Sequence, residues 1–424
     1  MKKRWLSLAL CFVIVAALLV ALVSCDDDEG DKAKYNYDIT VWVGENTKTL
    51  TEQLIAAFNA NNEFDVKFNA TVEIVSESKA VGDASSKPAD CADIFTFAQD
   101  QLARAVKLNL LAPLNSSSVQ NVIDNNDADS VEATKVGDTI RAFPMTADNG
   151  YFMYYDKRVI SEEHIGSLED ILADCKAAGK NFSMSLATVG SGSWYAASFF
   201  YATGCVSEWT TDANGSFTNY NDTFKGAAGR EALYGMQKIL QSGSHNDSDK
   251  VSDFDAGIAS AAVVSGIWDY NAAKEKLGSN LGIAPLPAFT GSDGVTKYQL
   301  VTYLGHKMMG IKPQSDSTKL LLLQKLAMYL TSAESQLKRF EQVGWGPCNK
   351  VAAANEAVLA SSALSVFKTT FGDKTYCISQ GQYPANWWTE IEAMALSVKT
   401  SQSDEASLNI ILNKYQSSLG GLLG

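Results

Sequence analysis

The chain has 424 residues, 46% apolar and 20% charged, a globular composition that excludes both a wholly disordered chain and a multi-span membrane protein. Thirty-five basic against 48 acidic residues leave a net charge of −13 and a pI near 4.8, a surface that repels phosphate backbones and excludes nucleic acid as a partner. The three histidines, His164, His245 and His306, are too scattered to promise a histidine-built metal site or triad, so no metal and no cofactor is expected.

At ~100–200 residues per domain the length predicts two or three domains, or two large lobes. The N-terminus comes first. Met1-Lys2-Lys3-Arg4 is a basic cap, Trp5 to Val23 is apolar apart from Ser7, and Leu22-Val23-Ser24-Cys25 ends the run ahead of Asp26-Asp27-Asp28-Glu29. This reads as a secretory signal over residues 1–24. Leu-Val-Ser-Cys resembles a bacterial lipobox, which implies acylation of Cys25 and a lipid anchor in the cell envelope, facing the periplasm or the exterior. A plain signal anchor is the alternative, because the run approaches the ~20 residues that span a bilayer. Residues 25–35 read as an acidic tether.

Five further cysteines follow: Cys91, Cys175, Cys205, Cys348 and Cys377. None forms a CxxC pair, which removes zinc ribbons and thioredoxin-type motifs. Buried free thiols and one or two bridges both remain open, Cys348–Cys377 and Cys175–Cys205 being the pairings to test first.

In chain order, Ile39 to Val43 reads as a strand ended by Gly44, Thr49 to Asn62 as a helix, Thr71 to Val75 and Asp93 to Phe97 as strands, and Gln99 to Lys107 as a helix. That alternation is the signature of a layered α/β sheet. Ile140 to Phe143 and Gly150 to Tyr155 are strands separated by a polar, hinge-like piece, Thr146-Ala147-Asp148-Asn149. Helices are predicted for Leu168 to Ala178 and Trp194 to Thr203, a hairpin or loop for Asp212 to Thr223, and a helix for Arg230 to Ser242. Ala261 to Val264 with Gly266-Ile267-Trp268 is a buried strand running to a turn. Leu281 to Pro287 is a strand broken by prolines that marks an exit from one sheet. Helices at Thr318 to Leu330, Ser335 to Val343 and Ala385 to Lys399 complete the pattern. In the last, Trp388 is placed with Ile391, Met394, Ala395 and Val398 on the core face, so Trp387 points elsewhere.

There is no P-loop, no GxGxxG after a strand, no HExxH and no GxSxG elbow. Gly190-Ser191-Gly192-Ser193 reads as a simple turn. Pairs of carboxylates spaced for glycoside hydrolysis are inevitable among 48 acids and carry little information.

Several segments, in order, resemble family 1 extracellular solute-binding proteins of bacterial ABC importers, the maltose-binding-protein type. They are Asp93 to Asp100 with Leu110-Leu111-Ala112-Pro113-Leu114, then Ala142-Phe143-Pro144-Met145 through Tyr154-Tyr155-Asp156-Lys157, then Ala262 to Trp268. Ile283-Ala284-Pro285-Leu286-Pro287, Tyr303-Leu304-Gly305 through Gly310-Ile311, and Gly344-Trp345-Gly346-Pro347 complete the set. The likeness covers about residues 37 to 400. It departs from the family pattern at Phe97, often Trp there, and at Gln101, where a basic residue is expected.

The resemblance implies a two-lobed α/β fold, the periplasmic-binding-protein type II fold, with an interlobe ligand cleft and about three crossover segments. These fall near Met145–Ala147, Ala284–Ala288 and Ser332–Phe340. Lobe 1 is then 36–146 plus 288–334, and lobe 2 is 147–287 plus 335–424. A sugar presents hydroxyls, which carboxylates and amides bind, and C–H faces, which flat rings cover. Matched positions of that character are Asp100, Asp148 and Gln99 as acceptors and Trp194, Trp268 and Trp387 as platforms, with Tyr195 and Tyr151 as helpers and Phe97 in the first motif. Trp42 and Glu45, at the end of the first strand, are further candidates. The expected function is capture of a carbohydrate, an oligosaccharide such as a maltodextrin, by a monomer that closes about a hinge and delivers it to ABC permease subunits without catalysis. An exported glycoside hydrolase and an ABC receptor for a non-sugar solute are the alternatives.

Overall fold

The computed structural model describes residues 33–255, 257–366 and 375–423, so the predicted signal segment and Cys25 lie outside the described residues. Two five-stranded sheets organise the chain. The first runs, in spatial order, Val66–Ile74, Tyr35–Val43, Ile94–Ala98, Lys307–Ile311 and Phe143–Thr146. The second runs His245–Asn246, Asn181–Ser183, Ser260–Gly266, Tyr151–Asp156 and Leu281–Ala284. In each, three strands pair in parallel and a fourth lies antiparallel to both its neighbours: Lys307–Ile311 in the first, Tyr151–Asp156 in the second.

The central strands are apolar on both faces because helices cover both. Every residue of Ile94–Ala98, of Ser260–Gly266 and of Tyr151–Asp156 is buried. The helix Lys48–Asn61 buries Leu50, Leu54, Ile55 and Phe58 at helical spacing. Ser317–Leu330 begins where the Asp316 carboxylate accepts the Thr318 and Lys319 N–H groups. Ala333–Val343 begins on Ser332 and stops at Gly344, whose φ of +78° is the left-handed conformation that glycine adopts freely. The polar stretch 212–223 lies in a hairpin, Ser207–Thr211 with Phe217–Asp222.

The chain passes between sheets first at 147–150, between Phe143–Thr146 and Tyr151–Asp156, beginning at the end of the expected Met145–Ala147 segment. The second passage lies at Gly305–His306, between Thr302–Leu304 and Lys307–Ile311, and not near Ala284–Ala288. After Pro287 the chain stays with the second sheet: Ala288 bridges Ser167, and Phe289 packs 5.7 Å from Phe199. The apolar exit strand at Leu281–Ala284 was read as the crossover because two prolines follow it, but they lead into a small hairpin, Ala288–Thr290 with Lys297–Gln299. The third passage lies between Asn349, which bridges Asn126 of the first lobe, and Cys377–Ser379, which pairs with Thr302–Leu304. It is not near Ser332–Phe340, where Ser335, Gln336 and Arg339 are buried and the helix Ala333–Val343 packs on the first-lobe helix Lys48–Asn61. Two boundaries therefore move. Phe289, Leu300 and Tyr303 belong to the core of the second lobe, and Cys348 and Asn349 are bonded to Asp127 and Asn126 of the first.

The passages are laced together. Gln99 Oε1 accepts the His306 N–H at 3.1 Å and lies 2.9 Å from His306 Nδ1, while Gln99 Nε2 donates to the Gln380 carbonyl at 2.7 Å. The Asn149 N–H reaches the Gly305 carbonyl at 3.0 Å. Cys91, Cys175, Cys205 and Cys348 are buried free thiols, so neither Cys175–Cys205 nor Cys348–Cys377 is bridged. Among the described residues no helix is long and apolar enough to cross a membrane.

Candidate ligand-binding cleft

A cleft of about 630 Å³ opens between the sheets, within the range of small-molecule sites. Its first-lobe wall is polar. The strand Tyr35–Val43 ends at Gly44, and Glu45 and Asn46 follow it into the cleft. Glu77 folds against that glycine, its carboxylate accepting the Gly44 N–H at 3.2 Å and the Thr96 hydroxyl at 3.3 Å. A Cβ on residue 44 would sit 2.7 Å from Glu77 Oε1, so a larger residue there would push the carboxylate aside. The buried strand Ile94–Ala98 then delivers Asp100, Gln101 and Arg104 to the same wall. Gln101 Nε2 donates to the Glu77 carbonyl at 2.9 Å, and its Oε1 has no hydrogen-bond partner among the described residues. Asp100 accepts the Trp388 indole N–H at 2.9 Å, and burial pushes its carboxyl up to about 6.

The opposite wall is aromatic. The helix Gly192–Ala202 carries Trp194 and Tyr195, the turn after Ser260–Gly266 carries Trp268, and the helix Ala385–Val398 carries Trp388, Thr389 and Glu392. Trp194 lies parallel to Tyr303 (6.2 Å, 4°) and stacks on Trp268 (6.0 Å, 27°). Trp388 meets Tyr303 edge-on at 6.0 Å. Tyr195 is almost wholly buried and donates to Asp249 at 3.1 Å, and Tyr151, also buried, donates to the Trp194 carbonyl at 3.1 Å. Both tyrosines brace the platform. Gly190 donates its N–H to Glu392 at 2.8 Å, so the glycine–serine turn is part of the wall. Asn149, Lys307, Trp345 and Gln380 lie where the passages between lobes meet the cleft.

Of the residues expected from sequence, Glu45, Asp100, Trp194, Tyr195 and Trp268 come together here. The others do not. Trp42 is buried in the first lobe and donates its indole N–H to Glu73 at 2.8 Å. Phe97 is wholly buried in the central strand, and Gln99 is spent on the hinge. Asp148 has no exposed surface, accepts the Gly346 N–H at 2.6 Å and pairs with Lys307 at 3.4 Å. Trp387 is the core residue of its pair: it stacks on Tyr383 (4.2 Å, 14°) and donates to the Tyr415 hydroxyl at 2.9 Å. Its neighbour Trp388, assigned to the core from sequence, lines the cleft. The buried set Trp387, Ile391, Met394, Ala395 and Val398 has spacings of four, three, one and three, and the i to i+4 step from 387 to 391 was the available signal. Lys307 and Trp345 fall inside two of the family-like segments without being singled out as site residues, and Glu77 lies in no motif.

Such a site offers acceptors on one side and ring faces on the other. Among the described residues no group of three or more His, Cys, Asp or Glu could hold a metal ion.

No curated protein sequence matches the chain significantly. Solved structures do match its fold. The maltodextrin-binding protein MalE1 from L. casei BL23, without ligand, is 20% identical with a TM-score of 0.74, over 91% of this chain and 99% of that one. The GacH receptor of Streptomyces glaucescens GLA.O, solved unliganded and in complex with acarbose, is 17% identical with a TM-score of 0.73, over 92% and 98%. The maltose-maltodextrin-binding protein of Alicyclobacillus acidocaldarius is 17% identical with a TM-score of 0.71, over 90% and 100%. A family model matches residues 53–365, most of the chain, and with it the two-lobed architecture has its place: the chain belongs to the bacterial extracellular solute-binding proteins.

Proposed function

We propose that the protein captures a carbohydrate, an oligosaccharide such as a maltodextrin, in this cleft and passes it intact to an ABC permease, held to the membrane through a lipid on Cys25. One observation carries the reading: Trp194, Trp268 and Trp388 line one cleft together with Glu45, Glu77, Asp100 and Gln101. Rings bury the C–H face of a sugar, and carboxylate and amide oxygens accept its hydroxyls in charge-assisted or neutral bonds. Closure follows where the ligand contacts both walls better in the closed state than in the open one. The fold likeness to proteins described as maltodextrin binders supports the choice of sugar class.

The test is a thermal-shift screen of the mature protein against malto-, cello-, xylo- and chito-oligosaccharides, followed by chromatography of the incubated sugar. The expected result is a raised melting temperature with one class and full recovery of that sugar. Shortened products would establish a glycoside hydrolase instead, and silence across the panel would favour a non-sugar solute. For the anchor, Cys25→Ala should move the protein from the membrane fraction to the soluble one.

A further inference from the structure

Lys307 opens the strand Lys307–Ile311, directly after the second passage between lobes. Its side chain is almost wholly buried, where an unpaired ammonium is costly. Three groups surround the charge. Asp148, from the first passage, lies at 3.4 Å and is itself fixed by the Gly346 N–H. The ring of Trp345, just after the helix Ala333–Val343 that packs on the first-lobe helix Lys48–Asn61, has its centroid 4.3 Å from Nζ, and that of Trp268, in the turn after the second-sheet strand Ser260–Gly266, 5.0 Å. Both lie inside the ~6 Å reach of a cation–π contact. Trp268 is also backed by its own strand: a Cβ on Gly266 would lie 2.1 Å from the ring, so glycine there lets the indole lie flat on the backbone. One ammonium thus joins a passage between lobes to a ring from each lobe, and one of those rings belongs to the cleft wall.

We propose that Lys307 is a positioning residue that ties Trp268, and with it the ring wall, to the first lobe and the hinge, so that the angle between the lobes depends on this side chain. Trp268 and Lys307 are carried by different sheets, so a rotation of one lobe against the other whose axis does not pass through them changes the distance between them. The inference concerns the ligand-free protein and goes beyond the carbohydrate reading.

The experiment is small-angle X-ray scattering of the ligand-free mature protein, with acrylamide quenching of tryptophan fluorescence and thermal melting. Lys307→Met alone leaves Asp148 buried without its cation and can unfold the chain, so the variant is Lys307→Met with Asp148→Asn. Trp268→Leu, which leaves the ion pair intact, is made beside it. Both should show a larger radius of gyration and greater quenching than the wild type. Lys307→Arg, which keeps a planar cation over both rings, should restore wild-type scattering. A purely structural role would lower the melting temperature without moving the radius of gyration. Wild-type scattering from Trp268→Leu, or an arginine variant that scatters like the double variant, overturns the proposal. Failure of every sugar to bind would refute the carbohydrate reading and leave these scattering results standing.

Discussion

The two walls of the cleft are built by opposite means. The ring wall is rigid from behind: Trp194 rests on buried Tyr151 and Tyr303, Trp268 on Gly266 and Lys307, and Trp388 on Tyr383 and Tyr303. The acceptor wall hangs from the ends of strands, where Glu45, Glu77, Asp100 and Gln101 follow Val43, Ile74 and Ala98, and its side chains are held by hydrogen bonds rather than by packed rings. The difference teaches where binding energy and selectivity reside. Large rings with fixed faces supply buried area at little entropic cost, whereas the carboxylates and amides choose which hydroxyl pattern fits.

The sharpest way to break this comparison uses the adjacent pair on one helix. Trp387→Ala empties a core site and should cost about 3–5 kcal/mol of stability, read from denaturant unfolding. Trp388→Ala, at a half-buried ring, should cost less stability than Trp387→Ala yet weaken sugar binding by ~2 kcal/mol, roughly 30-fold, as a central aromatic contact does. Equal losses of stability from the two would mean that both rings serve the core.

Asp100 sharpens it by pH. Its carboxyl sits near 6, above the ordinary 3.8, because burial disfavours the charge. The folded protein therefore holds that proton more tightly than the unfolded chain. The resulting stability is complete below the unfolded value near 4 and is lost as the pH rises through 6. Asp100→Asn should accordingly melt higher than the wild type at pH 7 and equally at pH 4. The same variant should bind sugar less tightly at pH 7, and wild-type binding should fall as the pH drops through 6, since only the ionised form is a charge-assisted acceptor. Glu45→Gln is the mildest test: an exposed carboxylate traded for an amide acceptor should cost about 1 kcal/mol or less in binding, with no change in melting.

The same contrast explains what the sequence disclosed. The alternation of strands and helices, the first passage at 147–150 and the aromatic turn at Trp268 were legible because period and turn chemistry act locally. Trp194 and Asp100 were legible because they sit at element ends. The second and third passages were not, since whether Pro285 and Pro287 leave a lobe or merely turn within it is decided by the packing of Phe289 on Phe199, some ninety residues earlier. Asp148 was read as a ligand for the same reason: nothing local reveals that Lys307 and Gly346 occupy its oxygens. Trp387 and Trp388 exchanged places because a helical face read by eye tolerates a shift of one residue, while the hydrogen bond from Trp388 to Asp100 joins positions far apart in the chain.

The most direct test of capture on the ring wall is calorimetric titration of the mature protein with the sugar that raises its melting temperature, in parallel with Trp388→Ala. The account predicts one saturable site in the wild type, a roughly 30-fold weaker one in the variant, and sugar recovered unchanged from both. Equal affinity in the two proteins would contradict it.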